Sequence, residues 1–305
     1  MRIGINGTGL VQKASVDAVV EDARQAAEDG FSSYWLAEHP TGGFDALTVL
    51  SVVGQRVGKI ELGTAIVPTF PRHPLTLAGQ VLTVRSAIGP RLTLGIGLSH
   101  QAMMAKLGIP FDKPIRHLRE YLSILMPLLT EGKVDFEGEM LACQAELFRA
   151  PEDPCPVVVA ALGPQALRVA GTRTQGTTLA WVGPRTVREH IRPRLFEAAE
   201  SAGRPAPRII ATLPVCVTDE PDRVRGIVSS LLGEYGNLPS YRAMFDREGV
   251  RGPGDVALIG SEEQVREGIG ELAEAGVTDF APTEFTPTPE DRSRTRALLK
   301  SLLDP

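Results

Sequence analysis

The 305-residue sequence predicts an α/β fold, a (β/α)8 TIM barrel with insertions after strands 4 and 7. Three observations lead to it. Apolar, β-branched runs alternate with segments whose apolar residues recur at three and four, the pattern of parallel strands joined by right-handed helical crossovers. The first four runs begin about 30 residues apart, close to one βα unit. The length suits one barrel of about 250 residues plus inserted chain. With no low-complexity linker or short internal repeat, residues 1–305 read as one domain.

The expected strands, in order, are Arg2–Asn6, Ser33–Glu38, Glu61–Pro68, Arg91–Leu98, Val157–Leu162, Thr178–Val182, Arg208–Val217 and Val277–Pro282. Helices are expected over Ser15–Asp29, Asp45–Val57 and Pro74–Ala87; Ser15 suits an N-cap, and Gly30 ends the first before the next strand. The two long gaps hold the insertions. After a helix at Arg116–Thr130, VDFEGEMLACQAELF (Val134–Phe148) reads as a hairpin turning near Glu137–Gly138. The later gap reads as helices at Asp222–Glu234 and Tyr241–Arg247, followed by EGVRGPGD, a Gly/Pro-rich segment suited to a lid or a plain connection. A doubly wound nucleotide-binding sheet is the rival architecture. Its GxGxxG fingerprint is not reproduced by GINGTGLVQK after the first strand, so a nicotinamide site is poorly supported.

Composition excludes other classes. The net charge is −5 and no basic cluster stands out, against a nucleic-acid partner. No apolar stretch reaches the roughly 18 residues of a membrane span. The opening MRIGING lacks the basic and apolar regions of a secretory signal, and the three cysteines (Cys143, Cys155, Cys216) form no CxxC pair. A cytoplasmic protein acting on a small molecule is therefore expected.

In a parallel barrel the chemistry sits at the C-terminal strand ends. Three of the five histidines fall there: His39 in YWLAEHP beside Glu38, His73 in VPTFPRHP, and His100 in GIGLSHQ. Imidazole titrates near neutrality, so His39 and His100 are candidate proton carriers, whereas His73 stands where it can staple a helix start. His117 and His190 lie inside helical patterns and suit packing roles. Three rim histidines could also ligate a metal, but neither HxH on a strand nor HExxH is present. Gly163–Pro164 after the fifth strand puts proline at the first helical position, with free N–H groups able to receive a phosphate. Gly95 and Gly97 permit close backbone approach. Trp35 and Trp181 read as core or rim packing. No GxSxG nucleophile motif is present.

The runs IELGTAIVPTFPRHPLTLAGQVLT, RLTLGIGLSHQ and PVVVAALGPQALRVAG, in this order, resemble the luciferase-like superfamily. Within it the chain is similar to the F420-dependent oxidoreductases, and the likeness extends through VDFEGEML to VTDFAPTEF. The resemblance implies hydride transfer between coenzyme F420, an 8-hydroxy-5-deazaflavin, and a small organic substrate, and a homodimer. It implies that Glu38–His39 lies beside the reactive ring and that Ala65–Ile66 is a non-prolyl cis pair supporting it. Leu98, Ser99 and His100 would contact the cofactor, whose phosphate-bearing tail would lie at Ala160, Ala161, Leu162 and Gly163. Two positions depart from the family's pattern. Ser99–His100 stands where some members have Gly-Glu, and Leu162–Gly163 where two glycines are common. The residues alone leave three alternatives open: FMN as cofactor in a monooxygenase, a non-catalytic deazaflavin or flavin carrier, and a metal hydrolase.

Overall fold

The computed structural model describes residues 1–11, 15–39 and 42–303. Among them, eight parallel strands close into a barrel. The first strand is split around Gly4 into Arg2–Ile3, which pairs with Asp279–Phe280 of the eighth, and Ile5–Asn6, which pairs with Ser33–Leu36 of the second. The ring runs on through Glu61–Thr64, Leu92–Gly97, Val157–Val159, Gly176–Ala180 and Arg208–Thr212, every neighbour parallel. The third strand resumes as Val67–Pro68 against Ile96 and Gly97. Inside the barrel Trp35, fully buried, lies across Gly63 and packs with Val158, Ile210 and Ala281; a Cβ on Gly63 would sit 2.2 Å from the indole.

The expected helices are present with their caps. Val16–Glu28 is capped by the Ser15 side chain, Ala46–Arg56 by Asp45, and Pro74–Ile88 by His73, whose Nδ1 accepts from Leu75 N–H at 3.2 Å. His73 is thus the staple that its place in the sequence suggested. The first insertion adds Gln101–Lys106, Pro114–Thr130 and a hairpin of Lys133–Glu137 with Ala142–Glu146. Its turn is held by Glu120, whose carboxylate accepts three N–H groups from Glu139, Met140 and Leu141 at 2.8–3.1 Å.

The second insertion differs from expectation in two respects. EGVRGPGD is not an open lid: Pro253–Val256 forms a helical turn with Pro253, Gly254 and Val256 buried, and Arg251 is fastened to Asp255 at 2.9 Å. Directly after it, Leu258–Gly260 forms a strand that the sequence reading did not include. It pairs with Pro214–Val217, the outward continuation of the seventh strand, which also pairs with Thr283–Glu284. Among the described residues no helix is long and apolar enough to cross a membrane.

The bottom of the barrel is closed by charge. Arg208 donates to Glu61 at 2.9 Å and to Asp279 at 2.8 Å, and Arg2 joins both acids. Burial raises the two carboxylates, but Arg208 more than reverses this and holds both below their ordinary values. This face serves stability, leaving the opposite rim for chemistry.

Candidate active site

Close contacts join the ends of strands two to five. Glu38 N–H donates to Ile66 O at 3.0 Å, and Ala65 N–H to Leu36 O at 2.8 Å, so the second strand grips the third. The peptide between Ala65 and Ile66 is cis, and both residues stay partly exposed. Gly97 then separates Ile66 from Ala160: a Cβ placed on it would lie 2.9 Å from Ile66 Cγ1 and 3.1 Å from Ala160 Cβ. Gly95 is pressed harder, its would-be Cβ 1.9 Å from Thr64 O, while Thr64 Oγ1 both donates to and accepts from the Gly95 backbone at 2.8 Å. The close approach that the two glycines allow is therefore to the third strand.

Glu38 is bound on every side. Its carboxylate accepts from Arg72 at 3.1 Å and from Ala46 N–H at 3.3 Å, while Arg72 also reaches Asp45 at 2.8 Å. Burial pushes the Glu38 carboxyl above its usual value, with Arg72 offsetting part of the effect. Arg72 itself is fixed through its carbonyl, which accepts from Tyr121 O–H at 2.9 Å. Arg72 was not a candidate in the sequence, where nothing marked it as the partner of an acid 34 positions earlier.

His39 and His100 are both half-buried, and burial lowers both imidazoles below their ordinary value. At neutral pH they are uncharged and can accept a proton. His100 begins Gln101–Lys106 without capping it by its side chain, and its ring lies 5.4 Å from that of Tyr241. Ser99 precedes it with φ +62°, in the left-handed region. Among the described residues, His, Cys, Asp and Glu side chains do not gather in groups of three able to hold a metal. His117 packs as its helical position suggests, stacked on Phe70 at 3.9 Å with Nε2 3.1 Å from Thr69 Oγ1.

The fifth-strand end carries Ala160, Ala161, Leu162 and Gly163 into the helix Pro164–Arg173. Ala161 N–H donates to Thr177 Oγ1 at 3.3 Å. Beyond it, Gly163 and Gln165 are exposed, no side chain caps the helix, and a Cβ on Gly163 would meet nothing within 4 Å. Leu167 N–H bonds to Gly163 O at 2.9 Å, and the N–H groups before it stand at an open, positive helix end. Behind it, His190 Nε2 lies 2.7 Å from Leu162 O. A carbonyl only accepts, so Nε2 carries the proton.

A second Gly-Pro helix start, Gly183–Pro184, makes the comparison. There Glu248 accepts from Arg185 N–H at 3.1 Å and Thr186 N–H at 2.7 Å, and a Cβ on Gly183 would strike that carboxylate at 2.4 Å. The protein supplies its own anion at one start and leaves the other open. An open N–H cluster beside the partly exposed Ala65–Ile66 surface fits a phosphate-bearing, flat-ringed cofactor such as a deazaflavin.

Known proteins resemble this chain over most of its length. The model of the luciferase-like monooxygenase family matches residues 3–279. An F420-dependent glucose-6-phosphate dehydrogenase of Nakamurella multipartita is 29% identical over 66% of this chain, and the match spans 63% of that enzyme's length. A 5,10-methylenetetrahydromethanopterin reductase of Methanolobus tindarius is 23% identical over 98% of this chain and 90% of its own. Among solved structures, an F420-dependent secondary alcohol dehydrogenase superposes over 99% of both chains with a TM-score of 0.82 at 19% identity, a likeness of fold.

Proposed function

The chain belongs to the luciferase-like monooxygenase family, and from that premise we propose that it is a coenzyme F420-dependent oxidoreductase moving a hydride between the deazaflavin and a small organic substrate. The observation that carries the reading is the open helix start at Gly163, contrasted with the Glu248-capped start at Gly183 and lying across Ala160 and Gly97 from Ile66. F420-dependent glucose-6-phosphate dehydrogenases at 29% and 26% identity favour the deazaflavin over FMN.

In this reading Ala65 and Ile66 seat the ring, Leu98 and Ser99 border it, and Ala160, Ala161, Leu162 and Gly163 hold the phosphate-bearing tail. The cofactor, when bound, supplies the hydride chemistry. The chain's own residues bind, orient and handle the proton. His39 or His100, kept neutral by burial, takes a proton from the substrate as it is oxidised and returns it in the reverse direction. Glu38, bound by Arg72 and Ala46 N–H, serves as a positioning residue that fastens the second-strand loop to the third. His190 positions the tail loop through Leu162 O. The whole forms one barrel domain, a homodimer as the family resemblance implies, in a reducing cytoplasm suited to its free thiols.

The test is Gly163→Asp, which places at this helix start the kind of carboxylate that Glu248 supplies at the other. F420 binding, followed by cofactor fluorescence, should weaken by at least a hundredfold with unchanged far-UV circular dichroism. Unaltered affinity would remove the tail from this helix start.

A further inference from the structure

The rim on the far side of His100 is walled by aromatic rings from three separate strand-end segments. Trp181, immediately after the sixth strand, lies 4.2 Å from Tyr235 and 5.0 Å from Tyr241, centroid to centroid. Tyr235 and Tyr241 come from the insertion after the seventh strand and meet edge to face at 6.1 Å. Tyr241 also faces His100 at 5.4 Å, with a 49° tilt. All four residues are half-buried.

Two further observations separate this wall from ordinary packing. Trp181 holds φ +56°, a left-handed conformation that bulky residues rarely adopt and that costs on the order of 1 kcal/mol or more. That backbone aims the indole at the two tyrosines; a glycine would satisfy the turn without strain. Three arginines near the rings along the chain, Arg185, Arg242 and Arg251, are already engaged. Arg185 pairs with Glu189 at 3.3 Å, Arg242 with Asp246 at 2.9 Å, and Arg251 with Asp255 at 2.9 Å. Across the mouth Arg72 is held by Glu38 and Asp45. A substrate phosphate at this wall would thus meet π-faces, whereas a flat apolar molecule would meet matched surfaces.

We propose that Trp181, Tyr235, Tyr241 and His100 form the substrate wall and select an uncharged aromatic or conjugated ketone, or the corresponding secondary alcohol, over a sugar phosphate. This rests on the oxidoreductase reading and deepens it. In the oxidation direction the carbinol C–H bond breaks with its electron pair passing to oxidised F420. The O–H proton goes to the His100 imidazole, and the carbon–oxygen bond becomes double. Ketone, reduced cofactor and imidazolium balance the step, which runs backwards for reduction.

Equilibrium dialysis of the full chain loaded with F420 tests it, using 2-acetonaphthone and glucose 6-phosphate as probes. The naphthyl ketone should bind at least tenfold tighter than the sugar phosphate. Tyr241→Leu and Tyr235→Leu, which keep apolar volume but remove the rings, should each weaken the ketone by about five- to tenfold, with F420 affinity changed less than twofold. Trp181→Gly, which removes the indole while suiting the positive φ, should weaken the ketone by a similar factor, with F420 affinity changed less than twofold. Tighter binding of glucose 6-phosphate, undetectable ketone binding, or ketone binding indifferent to both tyrosine variants would overturn the proposal. Failure of the wild-type chain to bind F420 would instead overturn the reading beneath it.

Discussion

Replacing Gly97 by alanine probes the surface on which the candidate site is built. The added Cβ would lie 2.9 Å from Ile66 Cγ1, 3.1 Å from Ile66 Cδ1 and 3.1 Å from Ala160 Cβ. Unstrained carbon contacts sit at about 3.5–4.0 Å, so each neighbour must yield by roughly half an ångström. The backbone cannot easily yield instead: Thr69 N–H bonds to Gly97 O at 2.9 Å and Ala160 N–H to Ile96 O at 2.8 Å. The displacement therefore falls on the side chains of Ile66 and Ala160, proposed to lie beneath the ring and beside the tail. Overpacking of this size costs about 1–3 kcal/mol, which for a chain of this length lowers Tm by a few degrees. F420 affinity, measured by fluorescence titration, should fall by about tenfold. Gly163→Ala is the control, because its Cβ meets nothing within 4 Å and its φ of −81° suits alanine; its stability cost should stay under about 1 kcal/mol. If Gly97→Ala matched the wild type in both Tm and F420 affinity, Ile66 and Ala160 would not be packed through Gly97 into one surface.

His39→Ala should leave F420 affinity within about twofold and slow steady-state turnover by about 10²–10⁴ if His39 carries the proton; unchanged turnover would pass that role to His100. Since burial lowers both imidazoles, kcat for substrate oxidation should be flat above pH 6.5 and decline below it as the base becomes protonated, a limb that the variant of the true base would lack. His117→Phe addresses acid stability. Burial holds His117 down to about 4, while in the unfolded chain it titrates near 6.5. The unfolded state takes up the proton first, so His117's contribution is fully present above pH 6.5 and drains away toward pH 4, by about 3 kcal/mol. Urea unfolding at both pH values should show the variant losing less than the wild type; equal losses would contradict the assignment.

The barrel was legible because its evidence is periodic and local. Apolar runs such as RLTLGIG declare strands, and Ser15, Asp45 and Pro74 mark helix starts that caps then confirm. Leu258–Gly260 escaped because three residues are too few to show a period, and its pairing with Val215 to Val217 is a tertiary fact. EGVRGPGD looked loose because glycine and proline signal a break in the chain but not whether the break is packed. The Ala65–Ile66 cis peptide, implied by family likeness, could not have been read from propensity. The sharpest limit is the contrast between the Gly-Pro starts at Gly163 and Gly183. GPQAL and GPRTV look alike, and only the distant Glu248 closes one of them. The ring wall was invisible for the same reason, since Trp181, Tyr235 and Tyr241 meet across the chain reversals of an insertion.

The central claim is that this barrel binds a deazaflavin and uses it for hydride transfer. Its most direct test is side-by-side titration of the purified full chain with F420 and with FMN, followed by intrinsic fluorescence. Trp181 at the rim provides a signal that fully buried Trp35 does not. F420 should bind saturably and at least tenfold tighter than FMN, a preference lost in Gly163→Asp. Tighter FMN binding, with oxygen uptake when the flavin is reduced, would contradict it.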